Sequence, residues 1–340
     1  MLEVLRALTA DTVSRGYETI LVHGRRPETP PDLRAVFDPG LRLVEIPGWG
    51  RRNLPGALGT TLRAALEVRR LTAGRRGGVL HLHSTYAGAL RALVRAPGWQ
   101  VFYSPHAYAF ANASLPWPVR TISATSETLL GARGITLAVS RAEGAQAARL
   151  VGASRVAVVQ NGIALPADAG PGPGARFVVM SLGRAAYQRR PDQFAQIAST
   201  LRAELDADFV WIGNGPRADA LAAAGVSVSG WLPRRRAEAE LARAHVVLHL
   251  AAFEGLPLAL LEAMGAGKAV VATDLPPIRE ALGSAGLLVS STEEAVAALR
   301  RIHADEGLRE ALGKRARERV RRLFSREAMT ARTLAAYGLG

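Results

Sequence analysis

Cysteine is absent from the 340-residue sequence. Without a thiol the chain has no disulfide, no thiol nucleophile and no cysteine-based zinc or iron–sulfur site, which suits a reducing compartment. No uninterrupted apolar run reaches the roughly 18 residues that a membrane span needs. No motif typical of nucleic-acid-binding proteins is present either, so we expect no nucleic-acid partner.

Lysine is nearly absent too, since it occurs only at positions 268 and 314. Lys and Arg total 43 against 29 Asp and Glu, which gives a net charge of +14 carried almost wholly by arginine. The excess is +10 over residues 1–165 and +4 over residues 166–340. A basic first half is compatible with anionic lipid or phosphorylated substrates as partners.

Strand-like apolar runs alternate with longer helical patterns along the chain. The runs are TILVHG (19–24), GVLHLHS (78–84), QVFYSPH (100–106), ITLAVS (135–140), VAVVQNG (156–162), RFVVMSLGR (176–184), ADFVWIGNG (207–215), VSVSGW (226–231), HVVLHLAAF (245–253), KAVVATD (268–274) and AGLLVS (285–290). This alternation predicts an α/β protein with parallel sheets covered on both faces. The Pro/Gly-rich PADAGPGPGA (166–175) predicts a linker between a first domain, 1–165, and a second, 176–325. Two such doubly wound domains bind ligands in the cleft between them, at the carboxyl ends of the strands.

The first domain opens in an unusual way. Its sequence begins on a helical pattern, from Met1 to about Ser14, whereas a doubly wound domain normally opens with a strand that becomes central in the sheet. A missing central strand would remove hydrogen-bond partners from two neighbours. We therefore expect either that ten to twenty native residues precede this sequence, on the order of one strand and one turn, or that the domain is degenerate.

The stretch AAFEGLPLALLEAMGAGKAVVATD (251–274) sets two carboxylates in an otherwise apolar run. Pro257 favours the first turn of a helix that we predict to run to about Ala266. The free amides of Gly255, Leu256 and that first turn would form an anion site, typically for phosphate. Glu254 in the preceding loop and Glu262 inside the helix can both face this site. A solvated helix face or a buried ion pair is the alternative reading of the two glutamates.

A second polar group follows the strand at 176–182. SLGRAAYQRRPDQF places Gly183 and Arg184 at the carboxyl end of that strand, with Arg189 shortly after. Arginines at this position could hold a diphosphate. Together with Glu254, Glu262 and the 255–257 turn, these residues resemble the sugar-nucleotide site of the retaining glycosyltransferases of family 4, which have the GT-B architecture.

The resemblance covers most of the chain. FEGLPLALLEAMGAGKAVVATD is similar to the family's E-x7-E signature, and SLGRAAYQRRPDQF to its G-R-x4-K segment. FVWIGNGP, VSGWLPR, VVQNGI and FSREAMTARTLAAYG also fit. It implies two Rossmann-like domains facing a central cleft, with the final helix, 326–338, packed back on the first. The E-x7-E block is the specific part, because IGNGP alone marks any Rossmann turn.

For the donor, the resemblance implies a nucleoside-diphosphate sugar, UDP or GDP most often. Glu262 would hold the ribose hydroxyls and Glu254 the hydroxyls of the sugar. Arg184 and Arg189 would neutralise the pyrophosphate, and the Gly183 turn and the Gly255–Leu256–Pro257 turn would complete the cradle. Arg189 stands where the family usually has lysine, which keeps the charge but changes its geometry.

For the acceptor, the resemblance implies a hydroxyl bound by the first domain. His106, in SPHAYAF, matches a family position that faces the reaction centre, and Asn161 fits the turn before the linker. His81 and His83 share one face of a strand, so a metal pair and simple packing are both open, with His83 nearer the cleft. The scheme needs no protein nucleophile, metal or cofactor, because the departing phosphate would help to deprotonate the acceptor.

These features predict a retaining, metal-independent hexosyltransferase of bacterial cell-surface polysaccharide or glycolipid assembly, with a glycan or lipid-linked acceptor. We expect it in the cytoplasm, with peripheral binding to the inner face of the plasma membrane open, because RRNLPGALGTTLRAALEVRRLTAGRR (51–76) combines Leu62 and Leu66 with seven arginines. A solvated helix face would explain that stretch equally. A GT-B epimerase or phosphorylase, and a chain that binds nucleotide without transferring sugar, are the alternatives; a glycosidase would leave the arginines unexplained.

Overall fold

A computed structural model describes residues 1–26, 29–50, 54–166, 172 and 174–339. The chain divides into two compact units. The first comprises Met1–Ala111, Leu115–Gln160 and Met329–Gly340, and the second comprises Asn112–Ser114 and Asn161–Ala328. Most of the predicted linker, 167–171 and 173, lies outside the described residues. In the described ranges, no helix combines the length and the apolarity that crossing a bilayer requires.

Strands and helices alternate in the first unit, as predicted. The strands are β1 (Ile20–His23), β2 (Arg42–Glu45), β3 (Gly78–His83), β4 (Trp99–Ser104), β5 (Ile135–Ala138) and β6 (Val156–Val158). The helices are α1 (Leu2–Ser14), α2 (Leu54–Thr72), α3 (Ser84–Gly88), α4 (Leu90–Leu93), α5 (Trp117–Leu130) and α6 (Arg141–Val151). Strand β2 was not predicted, because only its two middle residues are apolar and its two end residues are charged and exposed.

The parallel strands of the first unit form two sheets. In the described part of the chain β1 pairs with β2 alone, while β3, β4, β5 and β6 form a second sheet in that order. Among the described residues β1 and β3 share no neighbouring strand. The expected opening strand would pair with both. A cavity of about 530 Å³ lies here, lined by Leu21 and Val22 of β1, by Leu80 and Leu82 of β3, and by Leu5 of α1.

The second unit is a single doubly wound sheet with its helices. Its strands are β7 (Phe177–Leu182), β8 (Ala207–Ile212), β9 (Ser227–Val228), β10 (Val246–His249), β11 (Ala269–Thr273) and β12 (Leu287–Val289). Its helices are α7 (Pro191–Arg202), α8 (Ala218–Ala223), α9 (Arg234–Ala242), α10 (Leu258–Gly265), α11 (Pro276–Leu282), α12 (Thr292–Ala304) and α13 (Glu306–Leu323), followed by α14 (Arg326–Tyr337). The six described strands are parallel in the order β12-β11-β10-β7-β8-β9, which confirms the predicted fold class.

The core of the second unit explains why its strands read as continuous apolar runs. Every residue of β7, β10 and β11 is buried, because helices cover both faces of a parallel sheet. Helix α14 instead contributes to the first unit, where Leu334 and Tyr337 pack on Phe102 and Leu137. The Tyr337 hydroxyl lies 2.5 Å from Nδ1 of His81.

Candidate functional site

The strand order of the second unit reverses between β7 and β10, its two central neighbours. In open α/β sheets such a reversal leaves a crevice at the carboxyl ends of the two strands, and ligands bind there. The chain leaves β7 through Gly183 and Arg184, and it leaves β10 towards Glu254. The two polar groups identified in the sequence therefore belong to the switch point of one sheet.

Arg184 and Arg189 occupy different environments after β7. Arg184 is exposed, whereas a 3-10 turn, Tyr187–Arg189, leaves the Arg189 side chain only 14% exposed. Gly183 has φ +127°, and a Cβ at that residue would stand 3.1 Å from Nε of Arg189. Glycine suits position 183 for two reasons. It tolerates this backbone conformation, and it leaves space for the Arg189 side chain.

Two buried groups meet the nearly buried side chain of Arg189. Its Nη1 donates to Nε2 of His249 over 2.7 Å and to Oε1 of Glu254. The side chains of His249 and Glu254 are only 2% and 5% exposed. Gln188 holds the loop that carries Glu254, because its carbonyl accepts from the amide of Ala252 at 2.9 Å. Sequence reasoning missed His249, although a lone imidazole inside HVVLHLAAF was a visible signal.

Burial and the arginine charge set the protonation states of this trio. Burial raises the pKa of Glu254, and the nearby Arg189 charge partly offsets that rise. Burial lowers the pKa of His249 well below its ordinary value, and Arg189 lowers it further. At neutral pH the imidazole is therefore uncharged and can accept a hydrogen bond from the guanidinium.

The glutamate-bearing segment forms the second wall. Gly255, Leu256 and Pro257 are buried, and Asn161 fixes their backbone by donating from Nδ2 to the carbonyl of Leu256 at 2.8 Å. Helix α10 begins at Leu258, one residue later than predicted, because Pro257 has ψ 118° and occupies the N-cap position. The helix still presents its N-terminal amides beside this turn. Glu262 lies in its second turn and is half-buried, with partners of its own.

Two histidines of the first unit pair directly. Nδ1 of His83, at the end of β3, lies 2.9 Å from Nε2 of His106, and the two rings stack with centroids 5.3 Å apart. Burial lowers the pKa of His83 to about 3 and that of His106 well below its ordinary value. Both rings are therefore neutral at pH 7, with one donating and the other accepting.

The third histidine has a structural environment. His81 Nε2 lies 2.9 Å from Oγ of Ser104, which donates its own hydrogen to the carbonyl of Leu137 at 2.7 Å. Nε2 of His81 must therefore carry the proton, and Nδ1 accepts from the Tyr337 hydroxyl. His81 thus uses both ring nitrogens within the protein, and among the described residues no three side chains of the metal-ligating types cluster.

The loop that carries His106 is strained and anchored. His106 and Ala107 have φ +53° and +77°, a region that costs a non-glycine residue free energy and is frequent at functional sites. Glu143 holds it by accepting from the amide of Ala107 at 2.7 Å and from that of Val139 at 2.8 Å. Burial raises the pKa of Glu143 to about 7. Sequence reasoning did not identify Glu143.

The prediction of peripheral membrane binding rests on the basic stretch that includes α2. In α2, Leu58, Leu62 and Leu66 are exposed, while residues 51–53 of the basic stretch lie outside the described chain.

Asp206 and Asp208, which form an Asp-x-Asp sequence, pair with Arg176 at 3.0 and 3.2 Å. These carboxylates at the start of β8 are thus engaged in a surface ion-pair network, far along the strand from its carboxyl end.

Comparison with protein families matches nearly the whole chain. Residues 1–162 match the family model described as "Glycosyl transferase 4-like domain", and residues 176–305 match the one described as "Glycosyl transferases group 1". No curated protein matches the sequence significantly.

Solved structures share the fold. Sucrose-phosphate synthase from Thermosynechococcus elongatus superposes with a TM-score of 0.81 at 19% identity, covering 98% of this chain and 92% of that one. HepE from Anabaena, in complex with UDP and glucose, gives 0.73 at 13% identity, covering 95% and 100%. WaaG, a glycosyltransferase involved in lipopolysaccharide biosynthesis, gives 0.72 at 15% identity, covering 99% and 95%.

Proposed function

Since the chain belongs to the group 1 glycosyltransferases of the GT-B fold, we propose that it transfers a sugar from a nucleoside-diphosphate sugar to a hydroxyl group with retention of anomeric configuration. One observation carries this proposal. Arg189, Glu254 and the amino end of α10 gather at the switch point of one parallel sheet, where such sheets bind ligands. UDP or GDP is the proposed nucleotide; the Anabaena relative was solved with UDP.

Charge and burial support the proposed donor roles. Arg189 and the exposed Arg184 would neutralise the diphosphate, with the amides of the 255–257 turn completing its hydrogen bonds. Glu254, buried and charge-balanced by Arg189, would accept hydrogen bonds from the sugar hydroxyls. Glu262 would accept from the ribose hydroxyls.

The proposed chemistry places the positive charge where negative charge develops. As the bond between the anomeric carbon and the phosphate oxygen breaks, charge grows on the diphosphate, and a fixed guanidinium stabilises the transition state more than the ground state. The acceptor oxygen would bond to the anomeric carbon on the face that the phosphate leaves, and the departing phosphate oxygen would take the proton of the acceptor hydroxyl. This route uses no protein nucleophile, and the two arginines supply the charge that a metal ion provides elsewhere.

We assign the acceptor to the first unit. His106 would contact the acceptor or the transferred sugar, and the neutral His83 would hold the ring of His106. Asn161, which belongs to the second unit and bonds the carbonyl of Leu256, is proposed to contact the same substrates. A glycan or lipid-linked acceptor of bacterial cell-surface polysaccharide assembly is the proposed class, in line with the involvement of WaaG in lipopolysaccharide biosynthesis. A cytoplasmic location with peripheral membrane binding would bring the enzyme to such an acceptor.

Turnover with a panel of donors tests this function. UDP-, GDP- and ADP-sugars are incubated with simple glycoside acceptors, and the products are examined by proton NMR. We expect one nucleotide series to react, the new linkage to have the donor's anomeric configuration, and EDTA to leave the rate unchanged. Inverted product would overturn the retaining mechanism. A new sugar epimer without an acceptor, or a strict need for phosphate, would instead show an epimerase or a phosphorylase.

A further inference from the structure

His249 is a polar residue in a buried strand whose other residues are apolar. It ends β10, every residue of which is buried, and its own side chain is 2% exposed. Burying an imidazole without a hydrogen-bond partner costs free energy, so the partner it has identifies its role. That partner is Arg189, on the loop after the neighbouring strand β7.

The contact fixes both side chains. A guanidinium only donates, so Nε2 of His249 must be the nitrogen without a proton, and the ring must be neutral. The same Nη1 of Arg189 donates to Glu254, and one amino group has two hydrogens. Both hydrogens of Nη1 are thereby engaged, and the planar guanidinium is held from one side.

The remaining edge of Arg189 is the one suited to phosphate. Nε and Nη2, the two nitrogens of the side-on bidentate arrangement, have no hydrogen-bond partner among the described residues. Gly183 leaves this edge uncovered, since a Cβ there would stand 3.1 Å from Nε. An arginine clamped through Nη1 can thus offer two parallel N–H groups to one phosphate, which a lysine could not do.

We propose that His249 is a positioning residue, which orients Arg189 so that its Nε and Nη2 bind the diphosphate of the donor. The inference rests on the proposed function, because it assigns the diphosphate as the ligand of Arg189. The orientation of Arg189 thus depends on the hydrogen bond to His249 in β10 as well as on the ion pair with Glu254. His249 itself makes no contact with substrate in this account.

Calorimetry with diphosphates and monophosphates tests the proposal. UDP, UMP, GDP and GMP are titrated into the wild type and into His249→Leu, His249→Gln, Arg189→Ala and the double variant Arg189→Ala/His249→Leu. We expect His249→Leu to weaken diphosphate binding about tenfold, since it removes one hydrogen bond to a charged group. Monophosphate binding should not change. His249→Gln, whose Oε1 can accept in place of Nε2, should restore diphosphate binding.

The double variant separates positioning from general damage. In the Arg189→Ala background, His249→Leu should cause no further loss, because its effect passes through Arg189. Thermal unfolding of each variant shows whether it is folded. Wild-type diphosphate affinity in a folded His249→Leu, an equal loss for monophosphates, or additive losses in the double variant would each overturn the positioning role while leaving the proposed function standing. Failure of the wild type to bind any nucleoside diphosphate would overturn both.

Discussion

Replacing Arg189 by alanine is expected to lower kcat/KM for sugar transfer by about 10²- to 10³-fold, the loss typical of removing one group that stabilises transition-state charge. Two effects act together. The diphosphate loses a fixed cation at the moment its charge grows, and the buried Glu254 loses the charge that offsets the rise in its pKa. Glu254 should then become protonated more easily and bind the sugar hydroxyls less well. Steady-state kinetics with the active donor measure the change.

Two matched variants define what this result means. Arg189→Lys keeps the charge but cannot offer one phosphate two parallel N–H groups, so we expect a smaller loss of about tenfold. Arg300→Ala removes an arginine of the same unit that pairs with Glu204 on the surface, and its activity should match the wild type. An Arg189→Ala enzyme that is folded and retains near wild-type kcat/KM would remove Arg189 from the mechanism.

Replacing Glu127 by alanine is expected to lower the free energy of unfolding by about 3–5 kcal/mol, the usual cost of breaking a buried ion pair from one side. Glu127 in α5 accepts from Nη2 of Arg91 at 2.6 Å and from the Tyr103 hydroxyl at 2.7 Å. The Arg91 guanidinium also lies over the Tyr103 ring, 3.8 Å from its centroid. Without Glu127 a buried arginine would keep its charge with no carboxylate to balance it. Urea unfolding measures the loss.

An exposed pair and a double substitution serve as controls. Glu67 pairs with Arg70 on the surface of α2, and Glu67→Ala should cost less than about 1 kcal/mol. The double variant Arg91→Met/Glu127→Leu replaces both charges with apolar side chains, so it should be more stable than Glu127→Ala alone. If Glu127→Ala lowers the free energy of unfolding no more than Glu67→Ala does, burial does not increase the contribution of the Arg91–Glu127 pair to stability.

The sequence was most informative where parallel sheet and helix patterns repeat. Continuous apolar runs such as FVVMSL predicted the strands of the second unit, because burial on both faces removes polar positions. The carboxyl ends of those strands then placed Arg184, Arg189 and Glu254 at one edge of a sheet. Short or partly exposed strands were harder: β2 was missed, and the predicted run 226–231 contains only Ser227–Val228.

Side-chain pairing between distant segments could not be read from the sequence. His249 and Arg189 are 60 residues apart, and His83 and His106 are 23 apart, so no local period links them. The start of α10 moved by one residue because backbone ψ at Pro257 is set by the buried turn, whereas proline itself fixes only φ. The roles of these residues in donor and acceptor binding remain predictions for experiment.

Calorimetry shows directly whether the second unit holds a nucleoside-diphosphate site. UDP, GDP, ADP and NAD are titrated into the wild type and into Glu262→Ala, with Glu67→Ala as a surface carboxylate control. We expect that one nucleoside diphosphate binds, that Glu262→Ala weakens its binding more than about tenfold, roughly 1.4 kcal/mol, and that Glu67→Ala binds it like the wild type. Binding of NAD alone, or of no nucleotide, would contradict a nucleoside-diphosphate site at Glu254 and Glu262.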